Sequence, residues 1–86
     1  ELEWARLGSL ADIRRRAFEG SVAHQFGLAM LHLKGQQVQM DKLESFHWAT
    51  LAARQGHPDA RALREHLLRQ MTPKEIVEAT RRLRGR

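Results

Sequence analysis

Glycine and proline limit this chain more than any other feature. They fall at Gly8, Gly20, Gly27, Gly35, Gly56, Pro58, Pro73 and Gly85, mostly between stretches rich in Leu, Ala, Arg, Glu and Gln. Those residues are good helix formers, and the breakers between them mark helix ends. Valine, isoleucine and threonine are too scattered for the period-2 alternation of a strand. The chain reads as all-α.

Capping residues sharpen the boundaries. Ser9 fits an N-cap with Asp12 in the first turn, where a helix N-terminus favours a carboxylate. Leu10, Ile13, Ala17 and Phe18 then make one apolar stripe that ends before Gly20. Ser21 caps a second helix running to about Lys34. Asp41 followed by Glu44 has the spacing of a capping box and opens a third, with a stripe of Leu43, Phe46, Ala49 or Thr50, and Ala53. Pro58 suits the first position of a fourth helix whose Leu63 and Leu67 face inward. Thr72-Pro73-Lys74-Glu75 combines a cap, an N1 proline and a box glutamate. The helix it opens carries Ile76, Thr80 and Leu83, with Val77 and Ala79 alongside. Leu2, Trp4, Ala5 and Leu7 predict a short leading turn.

The chain also resembles itself. RAFEG ends at Gly20 and AARQG at Gly56, 36 residues later. That offset places Leu10 on Phe46, Ile13 on Ala49, Ala17 on Ala53, Glu19 on Gln55 and Leu31 on Leu67. It suits a helix–loop–helix unit that cannot bury its apolar face without a stacked neighbour.

AHQFGLAMLHLKGQQVQMDKLESFHWATLAARQG (residues 23–56) closely resembles one unit of the Sel-one-like repeat, a relative of the tetratricopeptide repeat. Leu28, Ala29, Leu31, Gly35, Asp41, Trp48, Ala52, Ala53 and Gly56 carry the signature. GHPDA (56–60) resembles the entry to a next unit, and MTPKEIVEATRRLR (71–84) the helix that closes many such arrays. Four residues depart from the pattern. His24 stands for alanine, His32 and Ala49 each for tyrosine, and Gln37 for the second loop glycine. The resemblance implies a short right-handed α/α solenoid in a single domain. Residues 1–20 would form a leading half-unit, 21–56 a complete unit, 57–70 a trailing half-unit, and 71–86 a capping helix with a basic tail.

The signature positions have physical reasons. Small Ala29, Ala52 and Ala53 let helices approach closely. Gly35 and Gly56 permit a positive φ where the chain leaves a helix. Trp48 supplies the largest single burial. His32, in the tyrosine position, is expected to pack against it.

Helix 21–34 is apolar on two sides. Beside the signature stripe, Ala23, Phe26, Met30 and Leu33 recur at i, i+3, i+7 and i+10. A second apolar stripe is either buried on a neighbour or awaits a partner. In tetratricopeptide relatives the equivalent positions line a concave groove for peptides. The 36-residue offset places Ala62, His66 and Arg69 at matching positions of the next helix, making the groove basic at one end. Phe26, Met30, Leu33, His66 and Arg69 are therefore the candidate partner-binding residues, with a protein or peptide as the partner.

Charge offers another class. Lys+Arg 15 against Asp+Glu 10 gives +5, and 12 of the bases are arginine. Arg14-Arg15-Arg16 and Arg81, Arg82, Arg84 and Arg86 are dense enough for phosphate contacts. No aromatic interleaves with the tail, however, and no DNA-reading helix is visible, so nucleic acid or an anionic surface stands as the alternative. Self-association through an apolar end at Leu2, Trp4, Leu7 and Leu10 is a third reading.

Other chemistries find little footing. There is no cysteine. His24, His32, His47, His57 and His66 lack metal-ligand spacing, so no metal or cofactor is expected. Loop 35–38 lacks the lysine and hydroxyl of a phosphate-binding loop, and Ser9, Ser21 and Ser45 lie in no nucleophile elbow, so no catalytic residue is assigned. Apolar runs of four residues or fewer exclude a bilayer span of ~20 within this sequence. The chain opens at Glu1 rather than methionine and is read as a fragment or processed product.

Overall fold

The computed structural model describes residues 8–85. The leading turn, with Leu2, Trp4 and Leu7, and the terminal Arg86 lie outside them. Five helices follow one another: α1 (Leu10–Phe18), α2 (Val22–Lys34), α3 (Lys42–Arg54), α4 (Pro58–Gln70) and α5 (Pro73–Arg84). Among the described residues there is no strand, and no helix is long and apolar enough to cross a membrane.

Local hydrogen bonds place the helix starts. Ser9, Ser21 and Asp41 accept from the backbone N–H of Asp12, His24 and Glu44. Thr72 and Glu75 complete a reciprocal capping box on α5. At Asp41 the backbone N–H donates to the His32 carbonyl, and the Glu44 carboxylate reaches Arg82. The fourth cap is His57, whose Nδ1 accepts from the Ala60 N–H at 3.0 Å.

The first four helices pack each on the next, and α5 packs back on α3 rather than on α4. Bonds between α2 and α3 run from Ser45 Oγ to the Ala29 carbonyl and from Gln55 Nε2 to Gln25 Oε1, so one helix descends as the other rises. Helix α4 reverses against α3, with Lys42 reaching the Gln70 carbonyl and Arg64 lying over Phe46. Helix α5 then returns to α3, where Arg82 meets Glu44 at 2.9 Å and Asp41 at 3.5 Å.

Helix α3 consequently has α2, α4 and α5 around it, and burial extends well beyond its expected stripe. Ser45, Phe46, His47, Trp48, Ala49, Thr50 and Ala52 are all buried. Two of the polar members fit because they answer backbone carbonyls: Ser45 Oγ donates to Ala29 and Thr50 Oγ1 to Phe46. Two core clusters meet along this helix. One joins Ile13, Ala17, Leu28, Ala29, Leu31, Trp48 and Ala49; the other joins Phe46, Leu67, Met71 and Ala79, and Leu63 touches both.

Trp48 is 3% exposed. Its ring meets Phe18 edge-on at 5.6 Å and His47 at 4.8 Å. His32 is buried, and its Nδ1 donates to the Gln39 carbonyl at 3.3 Å, at the exit of α2. Helix α5 differs in detail. Ala79 is its buried residue, flanked by half-buried Ile76 and Leu83, whereas Thr80 is exposed and donates to its own helix at Ile76.

The turns after α1 and α3 are built alike. Gly20 and Gly56 have φ of 102° and 92°. Gly20 N–H donates to Ala17 and Gly56 N–H to Ala53; Ser21 N–H donates to Arg16 and His57 N–H to Ala52. Every partner is displaced by the same 36 residues, as are the caps Ser21 and His57.

Candidate partner-binding face

Helix α2 has the two apolar sides that its spacing predicts. Leu28, Ala29 and Leu31 are buried in the first core cluster. Phe26, Met30 and Leu33 are only half-buried, and Ala23 is exposed. Phe26 stacks on the His57 imidazole, with centroids 4.5 Å apart and planes 23° apart. Leu33, two turns along, packs against the Phe46 and Leu67 cluster. The second stripe therefore borders α4 at one end and the second core at the other, keeping part of its apolar surface in solvent.

His66 and Arg69 lie on α4 and are exposed, as is Ala62. Leu67, between them in sequence, points into the core. The structure thus keeps all five candidate residues at or near the surface, and among them it places Leu33 against the α4-bearing cluster. His57 was not in the sequence-derived set. Its place next to Pro58, at the N1 position, was the available signal.

Electrostatics rearranges the arginine story. Arg15 pairs with Asp12 at 2.9 Å, Arg81 with Glu78 at 3.3 Å, and Arg82 with Glu44, Asp41 and Glu78. Burial works against the Arg82 charge, but Asp41 and Glu44 outweigh it and hold the pKa above the usual guanidinium value. Hydrogen bonds from Arg15 and Ser9 hold Asp12 below the usual carboxylate value. Both arginine runs are therefore partly engaged within the fold. A separate group, Arg54, Arg61 and Arg64, lines a cleft of about 300 Å³ between α3 and α4. Residues 7 and 3 apart on two helices do not read as a cluster in sequence.

The histidines are dispersed. Ser21 Oγ shares a 2.6 Å hydrogen bond with His24 Nδ1, while His32, His47 and His57 have the neighbours given above. Among the described residues no group of three or more His, Cys, Asp or Glu could hold a metal ion. Comparison with protein-family models, curated proteins and solved structures finds no match to this chain.

Proposed function

We propose that this chain is a non-enzymatic protein–protein interaction module. Its architecture is a short α/α solenoid of Sel-one-like, tetratricopeptide-related units closed by α5. A partner segment docks on the second stripe of α2, beside His66 and Arg69 of α4. One observation carries the reading: α2 is apolar on two sides, and only one of them is fully buried. The repeat assignment draws support from the two turns related by 36 residues and from like burial at two of the four apolar offset pairs, with Ile13 and Ala49 at 0% and Leu31 and Leu67 at 0% and 1% exposed. Met30 gives the stripe a polarizable, adaptable wall.

Peptide selection tests this. A random library is panned against the chain, and enriched peptides are titrated into the parent and into Phe26→Ala/Met30→Ala. Enrichment of sequences with an apolar anchor, together with about a tenfold or greater loss of affinity in the double variant, supports the reading. Unchanged binding by a helical double variant contradicts it.

A further inference from the structure

The α3/α4 cleft makes a second, different site. Arg54 is the last residue of α3; Arg61 and Arg64 sit one turn apart near the start of α4. Because the two helices run antiparallel through a short turn, three arginines separated in sequence come to line one opening together with Thr50 and Ala53. Glu65 is the cleft's one carboxylate, and it lies 3.4 Å from Arg64 with 55% of its side chain exposed. An ion pair so open to water is weak and readily exchanged. Arg54 and Arg61 form no salt bridge among the described residues, and both are exposed. Arg64 is held in place, its guanidinium carbon 5.5 Å from the Phe46 ring centroid.

We propose that this cleft binds an acidic peptide segment, the guanidiniums of Arg54 and Arg61 taking its carboxylates and Arg64 exchanging Glu65 for a third. Guanidinium forks match carboxylates in paired hydrogen bonds. The surroundings favour a short acidic segment over a nucleic-acid strand. A strand needs a continuous basic track and exposed rings for its bases. Here Arg15, Arg81 and Arg82 are engaged by Asp12, Glu78, Asp41 and Glu44, and Phe46 is 3% exposed beneath Arg64. The site shares no residue with the Phe26 stripe, so either can fail alone.

The test is fluorescence anisotropy with a labelled octaglutamate peptide and a labelled thymidine octanucleotide, at low salt. The peptide is expected to bind the parent and Phe26→Ala/Met30→Ala alike. Its affinity is expected to fall about tenfold or more in Arg54→Gln/Arg61→Gln, and to stay within about twofold in Arg14→Gln/Arg16→Gln. Circular dichroism checks that each variant is helical. No binding of the peptide, equal losses in the two arginine pairs, or tighter binding of the oligonucleotide through Arg54 and Arg61 would each overturn the proposal.

Discussion

The Phe26 ring and the His57 imidazole stack 4.5 Å apart, joining α2 to the residue that caps α4. His57 thus serves two helices at once: its Nδ1 closes the first turn of α4 while its face covers part of Phe26. His57→Ala removes both roles and is expected to lower stability by about 2 kcal/mol, the sum of a cap and a ring pair. His57→Asn keeps a capping acceptor and should lose only about half of that. Urea unfolding of the two variants separates the roles; equal losses would show that the cap contributes nothing, and no loss in His57→Asn that the ring contact contributes nothing.

Gln37 is the one residue other than glycine with a positive φ among the described residues, at 63°. It occupies the position where the resembled repeat carries glycine, so the loop keeps a glycine-like backbone with a side chain present. A left-handed conformation costs such a residue about 1–2 kcal/mol, partly offset by the extra unfolded-state freedom of glycine. Gln37→Gly is therefore expected to raise the unfolding midpoint. Gly35→Ala goes the other way, since φ is 71° and a Cβ would stand 3.2 Å from Met40 Cβ. Thermal melts of both variants check the signs.

Glu75 gives the fold an acid-sensitive bond. The Thr72 backbone N–H first, and Lys42 next, hold its carboxyl below the usual value of 4.5. A lowered folded-state pKa means that the stabilisation is present above pH 4.5 and is lost as the pH falls through the folded value. The unfolding midpoint is expected to drop on acidification, and Glu75→Gln is expected to make that drop shallower. Melts across the acid range test it; parallel profiles for parent and variant would refute the assignment.

Trp48 anchors the first core. Trp48→Ala is expected to cost about 3–5 kcal/mol in urea unfolding, enough to threaten the fold of a small domain. In a Trp4→Phe background the remaining indole reports burial directly. Strong protection from acrylamide quenching is expected for a ring 3% exposed.

Which parts were readable in the sequence follows from the range of the interactions. Caps at Ser9, Ser21, Asp41 and Thr72 rest on bonds spanning three residues, and local spacing revealed them. The full burial of α3 was hidden because Ser45, His47 and Thr50 look like solvent residues until neighbouring helices surround them. Arg82 read as part of a basic tail because its partners Asp41 and Glu44 lie about 40 residues away in sequence. The cleft of Arg54, Arg61 and Arg64 is likewise a product of tertiary packing. The apolar stripe of α2 was visible because helical periodicity alone generates it.

The most direct measurement of the interaction reading is a two-dimensional NMR titration of the chain with a peptide enriched by selection. The largest shift changes are expected at Phe26, Met30 and Leu33, extending to His66 and Arg69. Changes concentrated on the outer face of α5, at Val77, Thr80 and Arg81, with α2 unmoved, would contradict it.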